Sequence, residues 1–213
     1  KTKIETLFAY FNSLTMTTDT TSNEQTDDSV AEVNGTYYTD FMEALAATYN
    51  NPNYWCKLLK DVTVNGSIGD YSPWFQGFQI DLNDHTLTCS GGITLFGSVR
   101  SSNIKGPGTV NANIEVGGGS FYAPLTINGN ISQLDVADLS VYGSGTFRVN
   151  GNIGDFDLPS NIDSGVTIVC TGTCSETDIQ DKVITDSCKV DVTWGSMEFT
   201  YTSKNMESGD SFL

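Results

Sequence analysis

The middle of the chain, from Tyr54 to about Tyr201, consists of short runs in which apolar and polar residues alternate. Alternation with a period of two puts every second side chain on the same side of a β-strand. Most runs are only three to five residues long, and Gly, Asn, Asp or Ser usually follows them. This pattern predicts many short strands separated by tight turns, and therefore an all-β core.

One phrase within this region is repeated. Residues 125–131 spell LTINGNI, and residues 147–153 spell FRVNGNI 22 residues later. The offset persists downstream, where Asp135 falls on Asp157, and a third copy, VTVNGSI, occupies residues 62–68. Repeats of this size are typical of solenoids, whose coils bury their apolar sides only by stacking. Asn128 and Asn150 would then lie one coil apart, where their amides can form a hydrogen-bonded ladder.

Helical spacing occurs in two places. Apolar residues at positions 4, 7, 8, 11 and 14 predict a short amphipathic helix, and a polar segment rich in Thr, Ser and Asp follows it. A second helix is predicted over residues 39–49, with Thr39 as its capping residue. We divide the chain into residues 1–33, a short helix plus a flexible linker; residues 34–170, a solenoid domain; and residues 171–213, a C-terminal cap or the start of a following module.

Three segments of the chain resemble the opening of a known type of domain. They are YTDFMEALA at residues 38–46, CKLLKDVTV at residues 56–64 and IDLNDHTLT at residues 80–88. This succession is similar to the start of the pectate-lyase-like right-handed parallel β-helix modules in surface proteins of gut Firmicutes and their relatives. In those modules a helix covers the open end of the solenoid. Asp84 departs from the pattern, because the family usually has Gly there.

The resemblance covers about a quarter of the chain and, with the repeats, predicts its architecture. We expect a right-handed parallel β-helix, or solenoid, with an N-terminal α-helical cap. The resemblance also implies an extracellular location at a bacterial cell surface. The function that we expect is a non-catalytic structural or adhesive role, with host or bacterial glycans or proteins as partners.

The charge of the chain narrows the range of partners. The sequence has 26 acidic and 10 basic residues, a formal net charge of −16. Phosphate backbones and anionic membrane surfaces repel such a protein, so we expect no nucleic-acid partner. No run of 18 apolar residues occurs, so we also expect no membrane insertion. The first ten residues lack the pattern of a signal peptide, and we interpret the chain as mature or trimmed.

Many proteins with a β-helix fold are enzymes, so the alternative function is that of a polysaccharide lyase or glycoside hydrolase. A lyase needs a strong cation, usually an arginine, near its substrate, and the only arginines in the sequence are Arg100 and Arg148. A hydrolase needs paired carboxylates, and Asp135 and Asp157 would stack one coil apart and point outward. Such a pair can bind Ca²⁺ or serve as acid and base, but a solvated pair is the simpler interpretation. We therefore predict no catalytic residue and no required cofactor, with Ca²⁺ left open.

The best candidate for a binding loop is DYSPWFQGF at residues 70–78, which interrupts the repeat and is unusually aromatic. Flat rings stack on sugars, so Tyr71, Trp74 and Phe75 are candidate binding residues, together with Asp135 and Asp157. The competing interpretation is that this segment folds over the solenoid as a small apolar cluster. The five cysteines lack the partners of a structural zinc site, and we predict no metal.

Overall fold

The computed structural model describes residues 20–49, 51–70, 72, 76–96, 101–133, 139–152, 161–163, 165–171, 189–194 and 197–202. The first strands are β1 (Thr21–Ser22), β2 (Ala31–Val33), β3 (Thr36–Tyr38), β4 (Cys56–Leu58), β5 (Val62–Val64), β6 (Gln79–Asp81), β7 (Thr86–Cys89), β8 (Ile93–Leu95) and β9 (Asn103–Lys105). The later strands are β10 (Thr109–Asn111), β11 (Ile114–Val116), β12 (Gly119–Ile127), β13 (Ile131–Gln133), β14 (Leu139–Val149), β15 (Asn161–Ile162), β16 (Val166–Cys170), β17 (Lys189–Trp194) and β18 (Met197–Thr202). Helix α1 spans Phe41–Ala46.

The strands form a parallel β-solenoid of about four turns, which confirms the expected repeat architecture. On the first face, β4, β6, β9, β12 and β14 pair in parallel, in that order. On the second face, β5, β7 and β10 pair in parallel and meet the later halves of β12 and β14. The third face consists of β8, β11 and β13. Most strands are short because the chain must turn toward the next face, whereas β12 and β14 continue from the first face onto the second.

The core consists of columns of inward side chains, and one column from each face illustrates the arrangement, with every member buried. The first column is Cys56, Ile80, Ile104, Phe121 and Val141. The second is Val62, Leu87, Val110, Ile127 and Val149. The third is Ile68, Ile93, Ile114 and Ile131. The predicted alternation of inward and outward residues therefore holds, and Ile127 does lie beside Val149.

The coils differ in length, so the 22-residue offset applies to only part of the solenoid. Successive coils bring together Thr88 with Asn111, Asn111 with Asn128, and Asn128 with Asn150, at separations of 23, 17 and 22 residues. The third copy of the phrase is also shifted within its strand. Val62, not Val64, starts the column that contains Ile127, because two more residues precede the turn in the early coils.

Part of the range predicted as a linker, residues 20–33, has regular structure. Strands β2 and β3 form an antiparallel hairpin, and β2 also pairs antiparallel with β4. Ala31 and Val33 are buried, so this hairpin extends both the core and the first face. Two alternating apolar residues were enough to bury one side of a strand, although the polar composition around them suggested a linker.

Helix α1 is shorter than predicted and begins one residue later. Asp40, not Thr39, is the N-cap, and its carboxylate accepts a hydrogen bond from the backbone N–H of Glu43 at 3.0 Å. Phe41, Ala44 and Leu45 are buried against the core cluster. Among the described residues, no helix has the length and apolar character needed to cross a membrane.

Glycines at the turn between the second and third faces permit close contact between coils. A Cβ added at Gly129 would overlap the carbonyl oxygen of Ala112, and one added at Gly151 would overlap that of Gly129. Gly66, at the same turn in the first coil, has open space where its Cβ would lie. The Asn-Gly phrase therefore serves close stacking as well as turning.

We expect Gly129→Ala to lower the free energy of unfolding by about 1–3 kcal/mol, because the new methyl group must displace backbone of the neighbouring coil. Gly66→Ala is the matched control and should change it by no more than about 0.5 kcal/mol. Urea unfolding followed by circular dichroism measures both values. Equal effects of the two substitutions would contradict the contact between coils.

Candidate functional site

All the candidate site residues predicted from the sequence lie outside the described residues. These are Tyr71, Trp74, Phe75, Asp135 and Asp157. The structure therefore neither brings them together nor separates them, and they stay predictions. A candidate site must be sought among the outward side chains of the described coils.

The predicted asparagine ladder is present on the second face. Asn150 donates from Nδ2 to Oδ1 of Asn128 at 2.9 Å, and Asn128 donates in the same way to Asn111 at 2.8 Å. Asn111 then donates to the hydroxyl of Thr88 at 3.2 Å. Each hydrogen bond joins one coil to the next. The ladder therefore has a structural role, which is to hold the stacked coils together.

Aromatic side chains gather on the outward side of the first face. Parallel pairing places Lys57, Asp81, Lys105, Tyr122 and Tyr142 in one outward column. Each belongs to a different coil, and each points away from the core because its neighbours in the strand point inward. The column changes from alternating charges in the early coils to tyrosines in the later ones.

Three rings of this face form what we call the aromatic strip, namely Trp55, Tyr122 and Tyr142. The ring centroids of Tyr122 and Tyr142 are 5.3 Å apart with an interplanar angle of 41°. Trp55, which directly precedes β4, meets Tyr122 edge-on at 5.6 Å and 88°. All three residues are half-buried, so part of each remains open to solvent. These distances are typical of favourable aromatic pairs.

Lys105 is held against one end of the strip. Its ammonium lies 4.7 Å from the centroid of the Trp55 ring and 2.8 Å from Oδ2 of Asp81. Attraction to the face of the indole and to the carboxylate fixes the lysine side chain and offsets its charge. The strip therefore has an ordered end with little net charge.

Short polar residues border the strip on one side. Asn103, Ser120 and Ser140 form the column two residues before the column of Lys105 and the tyrosines, and of these Asn103 and Ser120 are partly exposed while Ser140 is buried. Nδ2 of Asn103 donates to Oε1 of Gln79 at 2.7 Å, which fixes the Asn103 amide. On the other side, Pro124 and Ser144 are exposed and small enough to leave the rings accessible.

Burial raises the pKa of the Tyr122 phenol above its ordinary value of 10.0. The negative charges that Tyr142 and Asp163 can carry raise it further, because each disfavours a nearby phenolate. The carboxylate of Asp163 is itself held by the backbone N–H of Gly143 at 2.8 Å. Tyr122 is therefore a neutral ring with a hydroxyl at any physiological pH.

The chemistry that this arrangement offers is stacking and hydrogen bonding. Within the described part of the chain, no three side chains of His, Cys, Asp and Glu lie together as a metal site requires. The two described carboxylates nearest the strip, Asp81 and Asp163, already have partners. Neutral rings beside short polar groups suit the apolar faces and hydroxyl groups of a sugar.

The sequence contained a signal for the strip that the 22-residue repeat obscured. Residues 120–123 spell SFYA and residues 140–143 spell SVYG, an offset of 20. Tyr122 and Tyr142 are the outward residues of these matching phrases, and the structure pairs them in register. The irregularity between Ala123 and Leu125 separates this offset from the later one of 22. Trp55 and Lys105 carried no comparable signal.

No family model matches the chain, and neither the curated proteins nor the solved structures contain a match. Function must therefore be argued from the geometry of the described residues.

We expect the phenol of Tyr122 to ionise above pH 10, which the difference in phenolate absorbance between the wild type and Tyr122→Phe measures. Tyr142→Phe should lower the pKa of Tyr122 because it removes a neighbouring negative charge. Since the pKa is raised in the folded state, the stability that Tyr122 contributes is complete below the unfolded-state pKa. It is lost as the pH rises through the folded-state value. A midpoint below pH 10 would contradict the described burial.

Proposed function

We propose that this protein is a non-catalytic extracellular β-solenoid of a bacterial surface protein, and that it adheres to glycans through the aromatic strip. The observation that carries the proposal is the alignment of Trp55, Tyr122 and Tyr142 on one outward face. Rings that are ordered by neighbouring coils lose little conformational freedom when a ligand binds, and this favours affinity. The solenoid acts as a rigid support that holds the rings in place.

The finer architecture is part of the same proposal. We propose a right-handed coil, with α1 as an N-terminal cap, as in the pectate-lyase-like modules that residues 38–88 resemble. The burial of Phe41, Ala44 and Leu45 against the core supports a capping role for the helix. A right-handed crossover is the usual result when twisted parallel strands are connected. Cell-surface location rests on the resemblance alone.

Adhesion is favoured over catalysis by the state of the carboxylates around the strip. Hydrolysis of a glycosidic bond requires two carboxyl groups that face the same bond. Asp81 is paired with Lys105, and Asp163 accepts a backbone hydrogen bond, so both have structural tasks. The competing catalytic pair, Asp135 and Asp157, lies outside the described residues. Cleavage of glycans by this pair is therefore tested by experiment.

We expect the protein to bind at least one oligosaccharide on a glycan array. Tyr122→Ala and Tyr142→Ala should each weaken this binding by about tenfold, because each removes one stacking surface. Tyr37→Ala is the matched control, since Tyr37 is a half-buried tyrosine of β3 in the same sheet, separated from Tyr122 on β12 by the strands β2, β4, β6 and β9. Calorimetric titration with the best array ligand measures the affinities, and circular dichroism confirms that the variants fold.

The same ligands should remain intact after prolonged incubation with the protein. New reducing ends or unsaturated products that disappear in Asp135→Ala would establish the enzyme instead. Binding that both strip variants leave unchanged would show that the strip is not the site. An array without any bound glycan would contradict the proposed function as a whole.

A further inference from the structure

The shape and charge of the aromatic strip point to one class of glycan, an inference that rests on the proposed function. We infer that the strip binds a neutral oligosaccharide that lies along the solenoid axis and spans more than one sugar. Acidic glycans, whose sugars carry carboxylate or sulfate groups, are excluded. Three features carry this inference, namely the direction of the strip, its polar border and its charges.

The direction follows from the pairing of the strands. Tyr122 and Tyr142 occupy the same position on β12 and β14, so a line through the two rings runs from coil to coil. Their centroids are 5.3 Å apart, and Trp55 adds a third ring 5.6 Å from Tyr122. Two neighbouring rings along the axis present a longer surface than one sugar covers. A linear oligosaccharide parallel to the axis can contact both.

The polar border runs in the same direction. Ser120 precedes Tyr122 by two residues on β12 and is half-buried, whereas Ser140, at the matching position of β14, is buried and does not take part in the border. Asn103 continues this border one coil earlier, and its amide is held by Gln79. Hydroxyl and amide groups beside a stacking ring can bond the equatorial hydroxyls of a sugar, and neither group prefers a charged ligand.

The charges around the strip disfavour an acidic ligand. The ammonium of Lys105 is already engaged by Asp81 at 2.8 Å and by the ring of Trp55. Asp163 adds a carboxylate close enough to Tyr122 to raise the pKa of that phenol. The whole chain carries a formal net charge of −16, which repels polyanions at long range. Lys57, the other described cation of this column, lies on β4, three strands from Tyr122, so a uronate or sulfate group stacked on the two tyrosines would meet Asp163 without a free neighbouring cation to pair with.

The test compares oligosaccharides of equal length by calorimetric titration at physiological salt. The neutral probes are cellohexaose, chitohexaose and maltohexaose, and the acidic probes are hexagalacturonate and a heparin-derived hexasaccharide. We expect at least one neutral probe to bind at least tenfold more tightly than either acidic probe. Its affinity should rise with chain length from the disaccharide to the hexasaccharide, and Tyr122→Ala and Tyr142→Ala should each reduce that length dependence.

Each outcome separates this inference from the proposed function. Tighter binding of an acidic probe that depends on Tyr122 and Tyr142 would overturn the inference and leave the proposed function standing. Equal affinities for a monosaccharide and the hexasaccharide would also overturn it, because one ring would then suffice. If neither these probes nor an array of glycans binds, the proposed function fails and the inference fails with it.

Discussion

In-register stacking of parallel strands is the interaction on which the whole structure depends. Most strands contribute only one or two inward side chains, which is too little to stabilise a coil by itself. Stacking supplies backbone hydrogen bonds from coil to coil and continuous columns of buried residues, such as Ile68, Ile93, Ile114 and Ile131. The asparagine ladder and the close glycine contacts follow from this spacing, because both require neighbouring coils at strand distance.

The same stacking creates the candidate site. Lys105, Tyr122 and Tyr142 are separated in sequence, but they share one outward column because their inward neighbours share a core column. Packing of the inward side chains in the core thus fixes the positions of the outward side chains on this face. A ligand that follows the coil axis meets the same kinds of side chain at successive coils, and this suits an extended polymer better than a compact molecule.

The sequence predicted the repeating parts of the structure well. Leu125 and Ile127 lie beside Phe147 and Val149 as the repeated phrase requires, and Asn150 bonds to Asn128. It predicted less well where local composition and tertiary contacts disagree. Residues 20–33 are polar, yet Ala31 and Val33 become buried because a strand edge of the solenoid is available to pair with them. The cap of α1 moved from Thr39 to Asp40 because either side chain can bond the first free N–H groups.

The sequence by itself determined the strand periodicity, the turn phrase and hence the solenoid, because these depend on contacts between residues at nearly regular spacing. Only the tertiary structure decided which outward residues meet where the repeat is irregular, as where Trp55 and Lys105 join the tyrosines. Coil separations of 23, 17 and 22 residues along one ladder show that turns absorb insertions without disturbing the core. Trp55 reaches Tyr122 across several such coils. The sum of these variable lengths sets the position of Trp55 and Lys105 beside the tyrosines, and no local pattern encodes it.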